Sequence, residues 1–163
     1  MRFLRTTLAA AALTLLTLAT PSIASAQGSS ADAMQARVDS IISVHGGEQT
    51  AWNEITWDNG DVIATLSAEP AASARSLSAL AAGNCASGRY CAYSLLNYGG
   101  DRLTYSACPA TNTSFSAIGT VRSISNNRAS STVRAYAGTT LKNTISSGSG
   151  ASSTTGITRI TCS

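Results

Sequence analysis

Histidine is nearly missing from this chain: His45 is the only one in 163 residues. Carboxylates are almost as scarce in the second half, where Asp101 stands alone between positions 81 and 163. Serines abound, but no base is placed beside them to activate one, so an enzyme is not expected. The four cysteines contain no C-x-x-C pair and have no histidine nearby, which argues against a zinc site. Beyond Ala26 no run is apolar enough to cross a bilayer. His45 itself reads as a residue at a helix C-terminus, where a partly positive imidazole suits the dipole, rather than as a metal ligand or general base.

What is present begins with an export signal. Arg2 and Arg5 precede an apolar run from Leu8 to Ala19, which Pro21 breaks, and Ala24-Ser25-Ala26 forms a small-x-small cleavage site. Residues 1–26 are therefore expected to be a signal peptide cut after Ala26, leaving a secreted, extracellular protein with no membrane association. Residues 27–80 carry two arginines against seven carboxylates, net −5; residues 81–163 carry seven basic residues against one, net +6. This asymmetry marks two segments and suggests that they attract each other.

All four cysteines lie in the basic segment, and in an exported protein an even count reads as a disulfide framework. Three pairings are possible. Cys85–Cys91 with Cys108–Cys162 is favoured. The first closes a small loop containing Gly88. The second ties the C-terminal strand to the body and stabilises by about 3–4 kcal/mol in the chain-entropy model.

Along the mature chain, Asp32 to Val44 reads as a helix with one apolar stripe (Met34, Val38, Ile41, Ile42), capped by Ser30 and ended by Gly46-Gly47. Residues 54–57 and 62–66 read as a β-hairpin turning at Asp58-Asn59-Gly60-Asp61, with Ile55 and Trp57 on one side. Trp52 and Trp57 are expected to make a small hydrophobic contact. A helix and a hairpin do not make a domain, so residues 27–66 are read as an accessory or pro-segment packed on the downstream basic module. Residues 67–83, rich in Ala and Ser, read as a linker and a plausible processing point.

Residues 84–163 read as an all-β sandwich. Strands are expected at 89–94, 101–106, 114–118, 131–136, 141–145 and 157–162, and residues 144–158 as a Ser/Thr/Gly loop. The arginines are scattered across strands and loops, and nucleic-acid binding is not expected.

Within this region Tyr93-x-x-x-x-Tyr98-x-Gly100 resembles the aromatic-x4-aromatic-x-Gly signature of βγ-crystallin Greek-key motifs. A folded hairpin of that kind stacks its two rings, and the glycine takes a conformation that a Cβ would forbid. Asn126-Asn127-Arg128-Ala129-Ser130-Ser131 resembles the superfamily's calcium box, and Val133-Arg134-Ala135-Tyr136 echoes Tyr90-Cys91-Ala92-Tyr93. The resemblance implies a calcium site at Asn126, Asn127, Ser130 and Ser131. The box has no carboxylate, however, and Arg128 sits inside it, so a structural role in turns and side-chain-to-backbone bonds is preferred, and no other cofactor is expected.

The larger pattern, Cys85…Gly88…Cys91-x-Tyr93…Asn97-Tyr98-Gly99-Gly100, is similar to the secreted bacterial peptidase-inhibitor family typified by the Streptomyces-type metalloproteinase inhibitor. This implies a crystallin-like Greek-key sandwich stapled by two disulfides. It also implies a monomer that binds an extracellular peptidase tightly, with metalloproteases as candidate targets. The alternative is a non-inhibitory extracellular structural or wall-binding module. A substrate-like inhibitor needs an exposed peptide bond held in a rigid loop, and the sequence singles out no reactive bond.

Overall fold

The computed structural model describes residues 25–68 and 83–163. Most of the expected signal peptide (residues 1–24 of 1–26) and of the expected linker (residues 69–82 of 67–83) lies outside the described residues. The first element is helix α1 (Ser25–His45). It starts earlier than the stripe suggests, because Ser25, Ala26 and the small residues after them include no proline to stop it, and Ser30 lies inside it rather than at its cap. Its C-terminus is as expected: Gly46 has φ +66° and its N–H donates to the Ile42 carbonyl at 2.8 Å.

Eleven short strands come after it among the described residues. The N-terminal three are β1 (Glu48–Ala51), β2 (Glu54–Trp57) and β3 (Val62–Thr65). The next four are β4 (Tyr90–Tyr93), β5 (Arg102–Tyr105), β6 (Ala110–Asn112) and β7 (Ser123–Asn126). The last are β8 (Val133–Ala137), β9 (Thr140–Ile145), β10 (Ser149–Ala151) and β11 (Arg159–Cys162). They form two antiparallel sheets, one of seven strands in the order β1-β2-β3-β5-β4-β7-β10 and one of four in the order β6-β11-β8-β9.

The expected 54–66 hairpin is present, and its turn residues Asp58, Asn59 and Gly60 all have positive φ. Two expectations fail. Residues 114–118 are not a strand: Ser116–Ile118 forms a 3-10 turn that drops Phe115 and Ile118 into the core. The tract 144–158 is not a loop throughout, since Ser149–Ala151 pairs with β7.

Pairing registers show how the core is built. One row crosses the large sheet from Ile55 through Ala64, Leu103 and Ala92 to Ile124, each directly opposite the next. All five are buried. Because side chains alternate along a strand, this row defines one face. At one end α1 covers it, packing Met34 and Val38 on Ile55 and Leu66. Over the rest lies the four-stranded sheet, contributing Val133, Ala135, Ile145 and Ile160. Fully burying each of these valine and isoleucine side chains is worth about 1.5–3 kcal/mol. Trp57 touches both clusters, and its indole N–H donates to the carbonyls of the last helix residue, His45, at 3.1 Å and of Gly46 just beyond it at 2.9 Å. Trp52, by contrast, is exposed and joins neither cluster.

The acidic and basic segments meet, but not as their charges suggest. Strand β3 pairs with β5 along four residues. Among the described residues there is one ion pair, and it reverses the expected polarity: Arg37 of the acidic segment holds Asp101, the lone carboxylate of the basic one, at 2.8 Å. The same Asp101 accepts the Ser67 N–H at 2.8 Å, and Arg37 also donates to the Ser67 carbonyl at 3.0 Å. Helix, hairpin and β domain are thus pinned at one carboxylate. Asp101→Ala leaves the Ser67 amide and the guanidinium without it and is expected to lower stability by about 1–3 kcal/mol. Urea denaturation of the variant would show this as a reduced midpoint, and an unchanged midpoint would mean the clasp contributes nothing.

Candidate functional site

The two disulfides join Cys85 to Cys91 and Cys108 to Cys162. The second bridges the loop after β5 to the last strand and closes 54 residues of chain. The first lies on the opposite face of β4 from the main core, in a cluster with Tyr93 and Tyr98. Alternation explains the separation. Tyr90 and Ala92 point into the space between the sheets, whereas Cys91 and Tyr93 point away from it.

The tyrosine hairpin is assembled around this cluster. Tyr93 and Tyr98 meet edge to face with centroids 5.6 Å apart. Gly100 has φ +76°, and a Cβ there would come within 2.7 Å of the Leu95 side chain. Asn97 and Tyr98 also take positive φ, and the arch is held from outside by hydrogen bonds from the Asn97 N–H to the Ser152 carbonyl (2.8 Å) and from the Tyr98 N–H to Ser123 Oγ (2.9 Å). Sequence reasoning named the rings and the glycine but missed Ser123 and Ser94. The Ser94 hydroxyl accepts the Asp101 N–H at 2.8 Å.

The Asn-Asn box is bound up with backbone. Asn126 is fully buried. Its amide donates to the carbonyls of Ser131 (3.0 Å) and Ile145 (3.2 Å), while its oxygen accepts from the Arg128 N–H (3.3 Å) and the Ser131 hydroxyl (3.4 Å). Asn127 points elsewhere, donating to the Cys85 carbonyl at 2.8 Å. Ser130 is exposed and Ser131 half-buried. The four residues are thus not directed at one point. Among the described residues no three His, Cys, Asp or Glu side chains gather.

Arg128, which had counted against calcium, is a structural hub that sequence reasoning missed. Its guanidinium donates to the carbonyls of Gly88 (2.9 Å) and Ser106 (2.6 Å), and its carbonyl accepts the Ser147 hydroxyl. Three loops therefore converge on it. The neighbouring Asn127 completes the clamp on the small disulfide loop: its N–H donates to the Arg89 carbonyl (2.9 Å) and its carbonyl accepts the Gly88 N–H (2.8 Å).

His45 sits exposed at the end of α1 and helps line a cleft of about 360 Å³ together with Trp57, Asp58, Tyr105 and Thr111. Tyr105 is stacked on Tyr90 at 5.0 Å, and its hydroxyl is buried without a partner among the described residues. The cleft separates the helix–hairpin segment from the loop after β6.

Residues 78–147 match the profile of peptidase inhibitor family I36. The I36 match runs through β4 and β9 and takes in the Cys85–Cys91 loop, the tyrosine hairpin and the Asn-Asn box. It omits α1, β1 to β3, β10 and β11, so the strands at both ends of the chain, including the one bearing Cys162, fall outside it. No curated protein and no solved structure matches the sequence.

Burial raises the pKa of Tyr90, Tyr93, Tyr98 and Tyr105, most strongly that of Tyr105. A group whose folded pKa lies above its unfolded value contributes stability that is complete below the unfolded value and lost above it. Stability is therefore expected to hold up to a pH of about 10, the unfolded tyrosine value, and to fall as pH rises further. Urea midpoints measured across that range would reveal it, and a midpoint indifferent to alkali would contradict the burial of these rings.

Proposed function

We propose that this protein is a secreted inhibitor of an extracellular peptidase, acting by tight binding as a monomer rather than by catalysis. The observation that carries the reading is the I36 match over residues 78–147. Two disulfides fit an oxidising compartment outside the cell. A metallopeptidase is the proposed target, because the cysteine–tyrosine–glycine pattern resembles that of the Streptomyces-type metalloproteinase inhibitor. The crystallin-like Greek-key description is proposed in the same way, supported by the Tyr93–Tyr98 contact and the positive φ of Gly100. The Asn126–Ser131 box is read as a clasp between strands and loops, supported by the backbone partners of Asn126 and Asn127. Titrating a metallopeptidase with the purified protein is expected to remove its activity at stoichiometric amounts. If that metallopeptidase and a serine peptidase both keep their activity in an excess of the protein, the inhibitor reading sinks.

That failure would favour the second reading, an extracellular wall-binding module. One observation supports it. The outward side of the four-stranded sheet carries Arg134 and Arg159 on neighbouring strands, with the Arg159 guanidinium 4.2 Å over the Tyr136 ring. No strand of that sheet bears a carboxylate.

We also propose that the helix–hairpin segment stays with the active protein instead of being discarded. The support is energetic: β3 occupies the whole length of β5, and its loss would expose Ala64's row of the core and an unpaired strand edge. Intact mass of the secreted protein is expected to fit a chain beginning at Gln27, whereas a species starting near residues 76–84 would show that the segment is removed.

A further inference from the structure

The loop closed by Cys85–Cys91 is exposed at its tip and fixed at its base. Ala86, Ser87 and Gly88 are exposed, while both cysteines are buried. The Arg89 N–H donates back to the Ala86 carbonyl at 3.2 Å, and Gly88 has φ +77°. Residues 86–89 thus form a tight β-turn with glycine at its third position. The carbonyls of this stretch can be accounted for one by one. Cys85 accepts from the Asn127 side chain at 2.8 Å, and Ala86 from Arg89 within the turn. Gly88 accepts from Arg128 at 2.9 Å, and Arg89 from the Asn127 N–H at 2.9 Å. The Ser87 carbonyl alone has no partner among the described residues, and it belongs to the exposed apex.

We propose that this turn is the inhibitory element. It enters the active-site cleft of a peptidase and sets the Ser87 carbonyl against the group that polarises a substrate carbonyl, which is either a bound metal ion or the donors of an oxyanion hole. The inference rests on the inhibitor function proposed for the chain and gives it a place on the molecule. Three features suit the turn to that task. Its side chains at the tip are small, so it fits a narrow cleft and favours a peptidase whose subsites take small residues. Its conformation is set before binding by one disulfide and the Asn127–Arg128 clamp, so little ordering entropy is lost on association. Its backbone is turned rather than extended, so the Ser87–Gly88 bond is not offered as a substrate's would be. The Asn-Asn box acquires a role as well: Asn126 anchors the chain inside, and Asn127 holds the tip.

The experiment measures inhibition constants of the full secreted chain against thermolysin and subtilisin, together with urea midpoints. The variants are Ser87→Trp, Ser87→Arg and, as a control, Leu141→Ser on the exposed face of β9. Ser87 is exposed and its side chain makes no hydrogen bond among the described residues, so both Ser87 variants should keep the wild-type midpoint. Support is inhibition of one peptidase by the wild type, weakened about tenfold or more by the Ser87 variants and left alone by Leu141→Ser. Which peptidase responds separates the metal ion from the oxyanion hole. Inhibition unaffected by Ser87→Trp and Ser87→Arg overturns the assignment of the turn while the inhibitor reading stands. Failure of the wild type to inhibit either peptidase overturns both.

Discussion

Strand β4 is covered on both faces, and this constraint organises the molecule. All four of its residues are fully buried. Two of them, Tyr90 and Ala92, need the second sheet above them; the other two, Cys91 and Tyr93, need the disulfide and the Tyr98 arch below. The strands on either side, β5 and β7, are fixed in register by it. Strand β5 then offers its far edge to β3, and through β3 the helix–hairpin segment joins the same sheet. The covalent link at Cys91 transmits the rigidity of this buried strand to an exposed turn a few residues away. A protein of this size has few other ways of making consecutive exposed residues stiff.

The parts legible in the sequence are those whose signal is local. The 54–66 hairpin announced itself by alternation and by Asp-Asn-Gly-Asp. The helix end at Gly46 and the small cysteine loop around Gly88 were equally local. The Tyr93, Tyr98 and Gly100 spacing was visible because an arch of that kind is specified within eight residues. What escaped was created by pairing. Strand β7 reads Ser-Ile-Ser-Asn and keeps its place in the sheet only because β4 and β10 flank it. Residues 114–118 contain Phe115 and Ile118 at a spacing that reads as strand or turn, and the chain resolves it as a turn that buries both. The contribution of Arg128 was invisible for a different reason: its partners belong to three loops distant in sequence.

Charge was informative about segmentation and misleading about contact. The opposite net charges of the two segments suggested an electrostatic seam, but most of those groups are solvated, where attraction is weak. The seam is instead a continuous sheet with an apolar row running through it. The single ion pair among the described residues exploits the one carboxylate available to the basic side. The I36 profile ends before β10 and β11, yet Cys162 on β11 is bonded to Cys108 within the matched region. The folded unit is therefore larger than the segment that the profile matches, at both ends of the chain.

Two short strands bound the large sheet. Strand β1 reads Glu-Gln-Thr-Ala and β10 reads Ser-Gly-Ala. Neither carries a large apolar side chain, and one opens with a charge. An open sheet border with its amides unpaired is an invitation to another chain, and short polar borders decline it. The composition that concealed these strands from pattern reading is thus also what guards the protein against adding to itself, border to border, wherever it accumulates.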